Sequence, residues 1–237
     1  PNNVSICEIM AFMQNTKIGK YTVWYENSEE FNELKREVWS HHAYYLEDLD
    51  EPERVVDIGA HIGLATLYFA QIYPSAKIVS YEPDPQNYEI LVKNITENGL
   101  LSRVECINAA VAPKSGRIKL QAPIYPDEWR SGVGIIPKGW RSVLHTKEME
   151  VEAVGIGEIL ELGADLIKMD IEGMEYEVIT HGIWDRVENL IMEVHPRDGK
   201  RIGEIEKYLI DQGYKLEKRM DESKYGVGLC TIVAHKV

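Results

Sequence analysis

The sequence predicts an α/β fold built around a mostly parallel sheet. Three observations carry that expectation. Short apolar runs at 54–58, 77–82 and 103–107 alternate with helical patterns at 62–72 and 85–98. Two more apolar runs, Leu166–Asp170 and Leu190–Val194, follow further along the chain. Pro or Gly stands at the ends of several elements: Pro74, Pro83, Pro85 and Gly99. Strands and helices alternating at such lengths form parallel sheets with right-handed crossovers.

The elements are read in chain order as follows. Tyr21–Tyr25 forms a short strand, and Ser28 caps a helix over about 29–40. Glu51-Pro52-Glu53 breaks the chain, so residues 1–50 form an N-terminal extension or lid and 51–237 the main domain. Gly99 is the C′ residue of the 85–98 helix. Ile118–Leu120 and Met149–Ala153 read as short strands around a loop rich in Gly, Pro and Trp. Met174–Thr180 and 203–211 are helical, and Tyr214–Arg219 pairs antiparallel with Gly228–Ala234 at the end.

Composition narrows the function. The net charge is -13, from 39 acidic and 26 basic residues, a field that repels nucleic acid and anionic membranes. Cys7, Cys106 and Cys230 are odd in number and widely spaced, so neither a disulfide framework nor a zinc site is expected. Cysteine usage fits a reducing cytoplasm. No apolar run approaches the ~20 residues that span a bilayer. Pro1-Asn2-Asn3 carries no basic leader pattern, and the missing Met suggests numbering that starts inside or after a processed end.

The first core strand ends Asp57-Ile58-Gly59-Ala60-His61-Ile62-Gly63. A glycine-containing turn between strand and helix usually receives a ligand. A dinucleotide site would need Gly where His61 and Leu64 stand, and Asp57 would sit near its pyrophosphate. S-adenosylmethionine has no phosphate and carries two cationic groups, so D-x-G-x-x-x-G suits it. Glu82 ends the second strand 23 residues after Gly59, placed to accept hydrogen bonds from both ribose hydroxyls. A tight structural turn is the plain alternative for Asp57 and the glycines.

Three segments together resemble the FkbM-type methyltransferase family: Val55–Gly63, Tyr81–Pro85 with Asn94 downstream, and Asp165–Glu175 with its D-x-E-G-x-E core. Ile191–His195 is similar to that family's next strand, and the likeness runs from about Tyr44 to His195. It implies a Rossmann-like class I methyltransferase fold with a mostly parallel seven-stranded sheet and a C-terminal antiparallel hairpin. It implies O-methylation of a sugar or other small-molecule hydroxyl. By the same resemblance Asp57, Gly59, Ala60, His61, Gly63, Glu82, Pro83, Asn108, Ala109 and Asp170 line the cofactor site. His61 departs from the family pattern, where Asn is commoner.

Methyl transfer needs orientation and, for an alcohol, a general base. The fourth and fifth core strands end at Asp170 and His195, so Asp170, Glu172, Glu193 and His195 should cluster at the strand tips. Asp170 is the first candidate to orient or deprotonate the acceptor; His195 and Glu172 follow. In plainer readings Glu172 or Glu175 pairs with Lys168 or caps a helix, and His195 satisfies loop backbone before Pro196. The cluster suits Mg²⁺ in charge but has no diagnostic ligand spacing, so no metal is assigned. Tyr125–Gly134 reads as an acceptor loop or a mobile insertion, and His41, His42, Tyr44 and Tyr45 as cleft residues or a packed aromatic patch. An RNA or protein methyltransferase and a silent binding module are the alternatives; a homodimer is left open.

Overall fold

A computed structural model describes residues 13–47, 49–124, 128–130, 133–134, 146–195, 202–221 and 230–237, with the side chains of 218–221 excepted. The expectations for Pro1–Asn3, Cys7, Tyr125–Asp127, Ser131, Gly132, Pro196 and 228–229 lie outside them.

The seven-stranded sheet is present. Its strands are β3 (Arg54–Ile58), β4 (Lys77–Tyr81), β5 (Val104–Ile107), β9 (Ala164–Met169), β10 (Val187–Val194), β11 (Tyr214–Asp221) and β12 (Cys230–Lys236). Their order is β11-β12-β10-β9-β3-β4-β5, and β12 pairs antiparallel with both neighbours. The strand order reverses between β3 and β9, which pair in parallel. That switch point is where a ligand crevice opens in such sheets.

Side chains alternate across the strands and feed two apolar clusters. Val56, Ile58 and Ile167 face α4 (Ile156–Leu162), α5 (Glu175–His181) and α6 (Ile202–Asp211). Val55 and Leu166 face α1 (Ser28–Lys35), α2 (Leu64–Ile72) and α3 (Pro85–Glu97). A sheet covered on both faces explains the near-continuous apolar runs.

Beside it lies a three-stranded sheet, β6-β8-β7, from β6 (Ala110–Ala112), β7 (Gly116–Pro123) and β8 (Thr146–Gly155). The two strands read around 118–120 and 149–153 are therefore longer than expected. β6 and α4 escape the sequence reading because each is short. α4 has apolar residues at 156, 159 and 160 but no side-chain cap.

The N-terminal residues pack onto the α1–α3 face. β1 (Gln14–Ile18) pairs with β2 (Tyr21–Tyr25), and α1 runs into a single π-helical stretch, Arg36–Ser40, instead of one helix to 40. Asn27, not Ser28, is the cap: its Oδ1 accepts from the Glu29 and Glu30 amides at 3.0 Å each. Asn27 has the extended backbone a cap needs, whereas Ser28 is already helical. Buried Asn94 on α3 ties β2 down, accepting from the Trp24 amide at 2.7 Å and donating to the Ile62 carbonyl at 2.8 Å. Gly99 closes α3 with φ +68°, as its position predicted. Among the described residues no helix is long and apolar enough to cross a membrane.

Candidate active site

The tips of β5, β4, β3 and β9 border one cavity. Ala109, Glu82, Gly59, Ala60 and Asp170 line it from the sheet side, and Leu34, Val38 and Tyr44 line it from the N-terminal extension.

The turn after β3 is locked by its own backbone. The Gly59 and Ala60 amides both donate to the Tyr81 carbonyl, at 3.0 and 2.9 Å. The His61 amide donates to Glu82 Oε2 at 2.7 Å, and the Gly63 amide to the Ala60 carbonyl at 2.8 Å. These four donors are spent inside the protein and are not open to a diphosphate. Gly59 has φ +79°, and a Cβ there would stand 1.8 Å from the Asp170 carbonyl. Only glycine lets β3 and β9 close to this distance.

Glu82 is buried at the β4 tip. Its Oε1 accepts from the Asp84 amide at 2.9 Å, and Asn108 donates to its carbonyl at 2.8 Å. Burial is the main cause that raises its pKa, to about 7. Pro83 and Ala109 stand at the cavity with it, while Asn108 acts through these backbone bonds. His61 lines the cavity with φ +51°, and its Nε2 lies 3.5 Å from Glu30 Oε1. Burial alone would lower its pKa, but Glu30 reverses the effect and raises it.

Asp57 is placed differently from expectation. It is fully buried on the α2 face, absent from the cavity lining, and its Oδ2 accepts from Thr66 Oγ1 at 2.7 Å. Its other oxygen lies 3.3 Å from Lys168 Nζ. The negative charge expected at the site is thus answered within the protein. Alternation causes this: Asp57 shares a sheet face with Val55, not with Ile58. Gly63 also stands off the lining; its φ of +89° and tight approach to Leu91 seat α2 on α3.

Lys168, one residue of the motif, lines the cavity and is 3% exposed. Sequence reasoning did not select it as a site residue. The signal available was a lysine inside a strand buried on both faces, which demands a carboxylate partner. Nζ donates to the Gly59 carbonyl at 2.7 Å and lies 4.0 Å from Asp170 Oδ2. Burial opposes its charge, but Asp57, Asp170 and Glu193 outweigh burial and raise its pKa.

The four expected tip residues do cluster. His195 Nδ1 lies 2.9 Å from Glu175 Oε1, and Nε2 lies 3.4 Å from Glu172 Oε2. Burial would lower the His195 pKa, but Glu175, Glu172 and Asp170 together push it up to about 10. His195 is therefore an imidazolium at neutral pH and has no free lone pair to accept a proton. Glu172, in the left-handed region at φ +52°, is pushed up to about 7, chiefly by burial. Glu175 also accepts from the Gly173 amide at 3.0 Å, while the helix it begins has no side-chain cap, so the capping reading does not hold. Tyr44 Oη donates to Glu193 Oε1 at 3.2 Å, and burial, then Asp170 and Glu37, raises the Glu193 pKa. Asp170 Oδ1 is buried without a hydrogen-bond partner. Asp170, Glu193 and His195 bring one ligand atom each within 4.8 Å of one another and are the set able to hold a metal ion.

His42 Nδ1 meets Tyr68 Oη at 2.9 Å and belongs to the aromatic packing, and Tyr45 is exposed; Tyr44 alone of that group lines the cavity. Arg130 and Val133 stand at the cavity edge, where Arg130 is ion-paired to buried Asp84.

The methyltransferase FkbM domain family matches residues 57–216. A methyltransferase, sdnD, from Sordaria araneosa is 27% identical over 78% of this chain and 82% of its own length. The 31-O-demethyl-FK506 methyltransferase FkbM of Streptomyces tacrolimicus is 24% identical over 91% of this chain and 94% of its own. A Pyrococcus horikoshii structure assigned as a transferase shares the fold, with TM-score 0.50 and 16% identity over 94% of this chain and 70% of its own. A sheet in this strand order, the D-x-E-G-x-E motif at the β9 tip and a family match over most of the chain lead to one conclusion: the protein belongs to the FkbM methyltransferase family.

Proposed function

We propose that the protein transfers a methyl group from S-adenosylmethionine to the hydroxyl of a sugar or other small molecule. One observation carries the donor: Ala109, Glu82, Gly59 and Asp170 line one cavity, and the amides of 59–61 beside it are spent inside the protein. Along that line Ala109 and its neighbours would face the adenine. Glu82, which uses one lone pair on each oxygen, has capacity left for two ribose hydroxyls. The orphaned Asp170 Oδ1 suits a cationic or hydroxyl donor. The donor molecule supplies an activated methyl group, so the protein's share is orientation and proton removal.

The acceptor hydroxyl would meet Asp170, with Glu172 taking the proton. A carboxyl poised near neutrality fits that task, and His195, fixed as a cation between two carboxylates, steadies Glu172. The O-methyl chemistry printed in the Streptomyces relative's name supports a hydroxyl acceptor. The net charge of -13 favours small neutral acceptors over polyanions.

Calorimetric titration with S-adenosylmethionine, S-adenosylhomocysteine and NAD tests the donor. Binding of the first two without NAD is expected. NAD occupancy, or silence with all three, overturns the reading.

A further inference from the structure

Asp57 and Lys168 stand opposite each other on the neighbouring strands β3 and β9. Their ion pair has a direction. Lys168 forms part of the cavity wall, whereas Asp57 lies behind it with no exposure. Thr66 Oγ1 holds the far oxygen of Asp57 at 2.7 Å, and the Gly59 carbonyl holds the ammonium at 2.7 Å. Neither end can swing round. The ammonium thus stands between two carboxylates, with Asp57 behind it and Asp170 facing it from the cavity side at 4.0 Å.

Stability does not account for this arrangement. A buried ion pair gains little over apolar residues of similar volume, because desolvation offsets attraction. Leu166, on the same face of β9, and Ile191, the β10 partner of Lys168, are apolar and buried. An apolar residue at 168 would continue that core.

We propose that the Asp57–Lys168 pair makes the cavity wall sensitive to the charge on the donor's sulfur, weakening the sulfonium form relative to the neutral thioether. This rests on the S-adenosylmethionine reading above. In the transfer, the acceptor oxygen bonds to the methyl carbon and the carbon–sulfur bond breaks, leaving its electron pair on sulfur. The acceptor proton passes to a carboxylate. One positive charge thus leaves the sulfur, and a fixed cation nearby favours that loss. An interaction that differs between reactant and transition state is one that speeds the step. Asp170 attracts the sulfonium and Lys168 opposes that attraction, so the ammonium lowers the cost of losing the charge. The Tyr44 ring, with its centroid 5.4 Å from Nζ, shields the ammonium from bulk water on one side.

The test needs no acceptor. S-adenosylmethionine and S-adenosylhomocysteine are titrated calorimetrically into the wild type, Lys168→Met and Asp57→Asn, each checked for folding by circular dichroism. The wild type should prefer the thioether. Lys168→Met should reduce that preference, and Asp57→Asn, which bares the cation, should increase it, each by a factor on the order of ten. Opposite shifts in one ratio are not produced by loosened packing, which weakens both ligands together. If both variants leave the ratio unchanged or move it the same way, the inference falls while the donor assignment stands. If Lys168→Met does not fold, the ratio in Asp57→Asn decides alone. If the wild type binds neither compound, the donor assignment falls and takes the inference with it.

Discussion

His195 Nδ1 lies 2.9 Å from the buried carboxylate oxygen Oε1 of Glu175, and this contact decides the protonation of the candidate acid–base cluster. The histidine pKa of about 10 exceeds its ordinary value of 6.5. The folded state therefore binds the proton more tightly. The stabilisation is full below pH ~6.5 and is lost as pH rises through ~10. Glu175→Gln should cost about 2 kcal/mol near pH 7, and the gap to wild type should narrow from pH 7 to 10. Thermal melts across that range check the first point, and histidine NMR titration the second. A wild-type His195 that titrates near 6.5 would contradict the ion-pair reading.

Glycine at 59 should be irreplaceable. Gly59→Ala puts a Cβ on the Asp170 carbonyl, and is expected to cost more than about 3 kcal/mol and to abolish cofactor binding. Gly99→Ala is the control, because it too has positive φ but meets nothing within 4 Å. Only the left-handed strain of about 1–2 kcal/mol applies there. Denaturant melts of the two variants distinguish steric closure from backbone strain.

Cofactor affinity should depend on pH through Glu82. Its carboxyl is neutral below about 7 and ionised above. An ionised carboxylate accepts more strongly from ribose hydroxyls, so affinity should climb between pH 5 and ~7 and level off above. Glu82→Gln should lose roughly tenfold to a hundredfold at pH 8 and flatten the profile. Calorimetry at several pH values reads both effects.

Turnover should separate from binding at the β9 tip. Glu172→Gln and Asp170→Asn are expected to slow transfer by about a hundredfold or more while S-adenosylhomocysteine affinity shifts only a few-fold. Release of S-adenosylhomocysteine in the presence of a panel of neutral glycosides and alcohols gives the rate. Unchanged rates in Glu172→Gln would remove it as the base.

The N-terminal extension should be inseparable from the domain. Asn94→Ala removes the side-chain bonds to Trp24 and Ile62 and leaves buried backbone groups unpaired. A loss of about 2–3 kcal/mol follows from three such orphaned groups, the Trp24 amide and carbonyl and the Ile62 carbonyl. Faster proteolysis of residues 14–25 in the variant would register it.

Much of this was legible because strand tips are local. The strand-turn-helix chemistry at 54–63, the acid at 82 and the motif at 165–175 each sit within a few residues, and the switch point gathers them. What escaped was long-range. Lys168 reads as a lone charge until β9 is laid against β3, and Asp57 seems to face the ligand until the alternation of β3 is fixed by its packing. The reversal at His195 has the same origin: its partner Glu175 begins the helix between β9 and β10, 20 residues earlier in the chain. The β6-β8-β7 sheet depends on pairing across 40 residues, as in Ala110 with Ala153, which no local pattern reveals.

The self-satisfied turn at 59–63 bears on redesign. Swapping His61 and Leu64 for glycine would reproduce the letters of a dinucleotide fingerprint without liberating the amides of 59–61, since Tyr81 and Glu82 hold those donors from the adjoining strand. Conversion to a nicotinamide enzyme would have to begin by rebuilding the end of β4.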